Sequence, residues 1–482
     1  MDSQLRWASW AMMASVVAAV ACGSDGGSET PATSGTNGGE PDAGLASDSG
    51  EPAPDGALPR SDSGGPVTQG LVVHTAVMGG PTAKAFVGTS ATSAKSVDAN
   101  GGVRFDDSEV TLPASVTVAV YDPTYDVTLL TTVAGIDRRE IWLTQTAPDG
   151  CPCSSQGGIA GGIVNVNGTA NAVARATDGF SRRANIIGTT YSLELNNRPV
   201  GSSSTYDIVA WDGTDNRPNK VGAKGGVSPT ANGFTSADVT LDHLFDQPVQ
   251  ISVTNDGPAG GAERAELQFD VDGASLFFNR DDASPAFPVT LHAPVLDGAL
   301  AIVNRAAAVF AGNGSAQGGL NWTSVDPAAT WAYTRTPIPK GQSSATVPML
   351  TPAKIVAPTL GTQAAPGSAA AAGLNIAWDS GDPSASVVTL EIRSDTKGKS
   401  TGVTIWTAYL PAATKQFTAF ALPAGVAPQA NLRADTYSVS LAQLRNPTVK
   451  SVGDMFGSPG GPDVVDHRDE AKTAHRGILT LH

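Results

Sequence analysis

The sequence predicts an all-β chain, tandem antiparallel β-sandwich domains carried behind a disordered N-terminal linker, and three observations predict it. Short runs alternate apolar and polar residues, as in Val116-Thr117-Val118-Ala119-Val120, Tyr191-Ser192-Leu193-Glu194-Leu195, Val249-Gln250-Ile251-Ser252-Val253 and Val388-Thr389-Leu390-Glu391-Ile392-Arg393. That is the period of a strand with one face on a core and one in water. The 54 Gly and 33 Pro, set against only 16% charged residues, supply the many turns such a chain needs. No useful length keeps a 3.6-residue period without Gly or Pro interrupting it, so helices should be few and short.

The N-terminal elements come first in order. A single cation, Arg6, precedes the apolar stretch Trp7 to Ala21, which is too short to span a bilayer needing ~20 residues and ends in small side chains. Residues 1–21 therefore read as an export signal, cut after Ala21. The ending Ala19-Val20-Ala21-Cys22 resembles a bacterial lipoprotein box, with Ala19 where the family usually has Leu. The resemblance implies that Cys22 carries the lipid and that Gly23 behind it directs the protein to the outer membrane. Ala19-Val20-Ala21 is equally an A-x-A cleavage site, in which case the product is secreted. Residues 22–66 hold almost no large apolar side chain. Between 23 and 65, eight acids (Asp25, Glu29, Glu40, Asp42, Asp48, Glu51, Asp55, Asp62) face the lone cation Arg60. Such a segment cannot bury enough surface to offset the entropy of ordering, and its charge extends it, reaching roughly 35 Å.

The folded remainder is long enough for three or four domains. Residues 67–146 form the first expected unit. Its Asp98-Ala99-Asn100-Gly101-Gly102-Val103-Arg104-Phe105 run places Asn-Gly between two strand-like segments, the strongest short hairpin signal because both residues tolerate positive φ. With Leu112-Pro113, the Val116–Val120 strand and Tyr125, this order resembles the carboxypeptidase regulatory-like domain, a transthyretin-like sandwich that is a non-catalytic accessory and brings no zinc ligands. Residues 161–256, centred on Tyr206–Trp211, read as a second β-sandwich, with the carboxypeptidase regulatory-like kind as one candidate. A break at Asp256-Gly257-Pro258 separates them from a β unit of unknown family, 261–350. In 354–482, Pro358, Trp378, the Val388–Arg393 strand, and Leu432 followed by Tyr437 resemble a fibronectin type III domain. The resemblance implies a core Trp378 and a corner secured by Tyr437, with an insertion before a last strand at Ile478–Leu481.

Little in the chain specifies chemistry. A net charge of −15 argues against nucleic acid as a partner, since phosphate recognition needs clustered cations. Cys151-Pro152-Cys153 gives two thiols, too few for a tetrahedral zinc site, and reads as a possible local disulfide or as free thiols in a linker. The six histidines, His74, His243, His292, His467, His475 and His482, match no zinc spacing, and His467-Arg468-Asp469-Glu470 with His475 behind reads as a solvated loop. G-x-S-x-G is absent, and Gly398-Lys399-Ser400 lacks the first Gly of a P-loop, with Arg393 in its place. Asp270-Val271-Asp272-Gly273 and Asp212-Gly213-Thr214-Asp215 read as turns rather than calcium loops. Trp322, Trp331 and Tyr333 read as core aromatics, with a sugar-stacking platform as the rival.

The expectation is a cell-envelope lipoprotein, periplasmic or surface-facing, with a non-catalytic binding, adhesion or scaffolding role. It predicts no catalytic, metal or cofactor residue, and a membrane contact made through the lipid at Cys22. The ligand is an unidentified protein or glycan. A carbohydrate-binding surface protein and a hydrolase with a loop-built site are the rivals.

Overall fold

The alternating runs fold as strands wherever their apolar face finds a partner. The computed structural model describes residues 70–75, 83–88, 94–98, 101–122, 126–143, 158–176, 181–194, 205–214, 217–230, 233–255, 262–271, 274–281, 286–312, 329–394, 403–423, 425–426, 432–458 and 469–482. The expected signal (residues 1–21), the expected linker (22–66) with Cys22, and Cys151 and Cys153 lie outside the described residues.

In chain order the first strands are β1 (Leu71–His74), β2 (Lys84–Val87), β3 (Lys95–Ser96), β4 (Gly102–Phe105), β5 (Ala114–Asp122), β6 (Val127–Ile136) and β7 (Glu140–Trp142). Then come β8 (Gly158–Val164), β9 (Ala170–Ala176), β10 (Ser181–Arg183), β11 (Asn185–Ile187), β12 (Thr190–Glu194), β13 (Tyr206–Thr214), β14 (Arg217–Val227), β15 (Phe234–Ser236), β16 (Val239–Thr240), β17 (His243–Leu244) and β18 (Gln247–Thr254). They are followed by β19 (Ala262–Val271), β20 (Ala274–Asp281), β21 (Val289–Ala293), β22 (Asn304–Gly312), β23 (Ala329–Pro337) and β24 (Ser344–Pro348). The last are β25 (Ile355–Ala357), β26 (Gly367–Ala369), β27 (Asn375–Trp378), β28 (Val387–Ser394), β29 (Thr404–Pro411), β30 (Gln416–Thr418), β31 (Thr436–Arg445) and β32 (Ala471–Leu481). Helix among the described residues is one turn, α1 (Val452–Met455), and one 3₁₀ turn, Gly298–Ile302.

The units are not separate beads. A single thirteen-stranded sheet runs β20-β19-β22-β23-β32-β31-β28-β29-β6-β5-β2-β3, with β26 beside β32. Strands of the 261–350 unit thus join the last unit through the β23·β32 antiparallel ladder. The first unit joins it through the parallel β6·β29 ladder, Leu130–Val133 against Trp406–Tyr409. The second seam is reinforced on both faces. The Trp406 indole donates to Thr132 Oγ1 at 3.0 Å, Phe86 of the first unit enters the core around Trp406 and Trp378, and Arg138 pairs with Asp454 at 2.5 Å.

One face of the long sheet packs on β25-β27-β30 and on β21-β18-β24, giving two apolar cores. The opposite face packs on β4-β1-β7 and α1 at the first-unit end, around Val116, Val133, Ile141 and Phe456. The second unit stacks sheet β11-β12-β8-β15 on sheet β10-β9-β13-β14-β17, and the outer face of the latter enters the next core, where buried Trp211 meets Phe277 at 5.1 Å. Burying each large side chain of this kind contributes ~1.5–3 kcal/mol, so the shared core ties two units together.

The structure differs locally from expectation in three places. Asp98 and Gly102 close a turn (Asp98 N–H to Gly102 O, 2.9 Å), but the flanking strands part into different sheets, β3 pairing with β2 and β4 with β1. The turn is a sandwich corner rather than a hairpin. β18, which precedes the break expected at 256, pairs with β21 and β24 from beyond it. The final strand starts at Ala471, not Ile478, because β31 offers a ten-residue ladder for it to complete. Trp378 is buried, and the Tyr437 hydroxyl accepts from Arg433 N–H at 3.1 Å and donates to Arg433 O at 3.3 Å. That is the tyrosine corner expected of a fibronectin type III-like unit.

Candidate functional site

On β19 the apolar face, Ala265, Leu267, Phe269 and Val271, enters a core, so alternation turns Arg264, Glu266, Gln268 and Asp270 to the other side. Register then sets their neighbours. Glu266 lies across from Ala308, which lies across from Arg335, and Arg264 lies across from Phe310, then Tyr333, then Lys472. The result is a band of paired charge over small residues. Arg335 donates to Gln268 Oε1 at 3.1 Å and pairs with Asp270, Gln268 donates to Glu266 at 2.8 Å, and Arg264 pairs with Glu266 at 2.9 Å. The Arg264 guanidinium stacks 3.8 Å from the Phe310 ring centroid, and Lys472 pairs with Glu470 at 2.8 Å. Glu266, Asp270 and Glu470 are buried, as are Ala306 and Ala308 between them. Tyr333 donates to Gln268 at 3.3 Å, and burial holds its phenol far above the usual range.

Further along the same face stands Glu391, cross-strand from Ser440 on β31 and Thr407 on β29. Burial pushes its carboxyl up to about 7, with the Arg393 charge opposing. Burial thus brings this acid's titration close to neutrality, and the alternating strand reading had given it a solvent face.

The sequence-flagged residues are dispersed. His475, expected in a solvated loop, is instead buried in β32, where its Nδ1 accepts from Ile355 N–H at 2.9 Å. Burial, aided by Lys354, lowers its pKa, so the neutral ring pins β25 to the sheet. His74 stacks on Trp142 at 3.6 Å and reaches Glu140 at 2.8 Å. His243 lies between Asp242 and Asp297, His292 is exposed on β21, and His482 meets Ser368 at 3.3 Å. Asp212 accepts from the N–H groups of Asn167 and Lys220 at 2.8 and 2.7 Å, and Asp270 faces Arg335, so both carboxylates are spent on the fold. His467, Trp322, Asp215, Asp272 and Gly398–Ser400 lie outside the described residues. Trp331 and Tyr333 share the charged face of β23. Among the described residues no group of three or more His, Cys, Asp or Glu is arranged to hold a metal ion.

Complementary alternation on β19 and β23 was the available signal for the band; which cation faces which acid depended on register. Chemically the band fastens strands, with half-buried Arg264 lying over the Phe310 ring at its edge.

No family model matches the chain, and no curated protein matches it. Among solved structures, the chain is similar to the FN1–FN3 domains of chicken CNTN1 at 9% identity and TM-score 0.12, over 61% of this chain and 92% of that one. Two B repeat units of the collagen-binding protein CNA of Staphylococcus aureus match at 12% identity and TM-score 0.13, over 79% and 94%. The native conformation of E. coli alpha-2-macroglobulin matches at 9% and 0.10, over 84% and 27%. The all-β architecture rests on the strand ladders themselves.

Proposed function

We propose that the chain is an exported cell-envelope lipoprotein that serves as a stiff scaffold for binding or adhesion rather than for catalysis. The observation that supports it is the pair of ladder seams, β6·β29 and β23·β32, which merge three units into one sheet. A body built this way holds surfaces at fixed spacing, as presentation to a partner requires. In this reading residues 1–21 are removed, the lipid on Cys22 anchors the protein in the outer membrane, and the acidic linker 22–66 spaces the body from the lipid. Several acyl chains make such an anchor durable where one is marginal. The first unit serves as a carboxypeptidase regulatory-like accessory. Mass spectrometry of the mature N-terminus tests the anchor: a diacylglyceryl-modified Cys22 supports it, and a chain beginning at an unmodified Cys22 or retaining residues 1–21 overturns it. A protein and glycan binding screen on residues 66–482 tests the role, and turnover of a screened substrate without stable binding would sink it.

Half-buried Trp331, beside the charged band, favours a second reading, a carbohydrate-binding surface at that end of β23. Trp331→Ala abolishing glycan capture while leaving protein capture intact would select it. A hydrolase using His475 is not proposed, because that ring is committed to the Ile355 backbone.

A further inference from the structure

The junction of the second and third units carries a histidine held from both sides. β17 is the end strand of the sheet that shares the Trp211–Phe277 core, and it pairs with β14 through His243 opposite Val221. Its imidazole contacts Asp242 Oδ1 through Nδ1 at 2.6 Å and Asp297 Oδ1 through Nε2 at 2.9 Å. Asp297 belongs to the other side of the junction, where it precedes the 3₁₀ turn whose Leu300 is buried in the same core. A ring with a carboxylate on each nitrogen donates from both only as the imidazolium. We propose that His243 is a proton-dependent clasp between β17 and the 298–302 turn, closed in mildly acidic surroundings and loosened in alkaline ones.

The two contacts set the direction. Partial burial works against the ring's charge, but the hydrogen bonds to Asp297 and Asp242 outweigh it and hold the pKa above the ordinary 6.5. The surrounding charges are engaged elsewhere. Lys220 on β14 turns to Asn165 O, Asp212 accepts from two backbone N–H groups, Asp246 accepts from Gln247, and Lys340 reaches Ala301 O. With the folded pKa raised, the clasp contributes fully below the unfolded value and is lost as pH rises through the folded one. At still lower pH the carboxylates protonate and the clasp is lost again.

Hydrogen exchange of the full mature chain, corrected for intrinsic rates, tests this at the Phe245 and Leu300 amides, which donate to Asn219 O and Asp297 O. The expected result is a several-fold loss of protection at both sites between pH 6 and pH 9 in the wild type, with little change in Asp297→Asn. Wild-type protection that does not vary with pH, or an Asp297→Asn profile matching wild type, overturns the clasp. Histidine NMR supplies a second readout that does not depend on stability: a His243 midpoint at or below 6.5 also overturns it.

Discussion

Glu391 and His475 show opposite costs of placing a titratable group in a sheet. Glu391 ionises near 4.5 when unfolded and about 7 when folded, so across that window the folded state holds a proton the unfolded chain has lost. Stability therefore falls as pH rises from about 4.5 to about 7. Glu391→Gln removes the loss; urea unfolding should find the variant more stable than wild type above pH 7 and level with it near pH 4. His475 has the reverse sign. Its folded pKa is lowered, so its contribution is present above 6.5 and lost on acidification. His475→Ala leaves the Ile355 N–H without its acceptor, an expected cost of ~1–3 kcal/mol at pH 8. Tyr437 and Trp378 were legible through the resemblance to a fibronectin type III domain, which implies a Tyr-secured corner and a core tryptophan. His475 was not, because Ala471–Gly477 carries small and polar residues whose burial comes from neighbouring strands rather than from apolar alternation.

At the scale of an element, β19 was legible in its apolar half and hidden in its charged half. Its Leu267 and Phe269 face could be read from period alone, whereas the fate of Glu266 and Asp270 depended on β22 and β23 arriving in register. Arg335→Met removes the cation that pairs with buried Asp270 and should cost ~3–5 kcal/mol by denaturant unfolding. Adding Asp270→Leu should recover most of that loss, since an ion pair exchanged for packed apolar groups is often near neutral. The β6·β29 seam makes a second element-scale case. Thr132 Oγ1 meets both Thr117 at 2.8 Å and the Trp406 indole, so Thr132→Val leaves a buried donor unpaired and should cost ~1–3 kcal/mol. If Thr132→Val is as stable as wild type, the seam contributes nothing through this contact.

Over the whole molecule, fold class was readable while assembly was not. Alternation and turn composition report what each ten-residue window does. The pairing of Thr132 with Trp406 joins residues 274 apart in sequence and leaves no local trace. For the same reason the Asp98–Gly102 turn was foreseen and the parting of its strands was not, and β18 lies on the far side of the expected boundary. The joined architecture makes a mechanical claim: strands from the first, third and last units should open together, because each ladder is completed by a neighbour from another unit. Hydrogen exchange of the mature chain in rising urea, read separately at β5, β22 and β31, tests that claim most directly. One shared opening free energy that falls with the same slope in urea at all three strands is the predicted result, and β5 or β22 exchanging through its own lower-energy opening while β31 stays protected would contradict it.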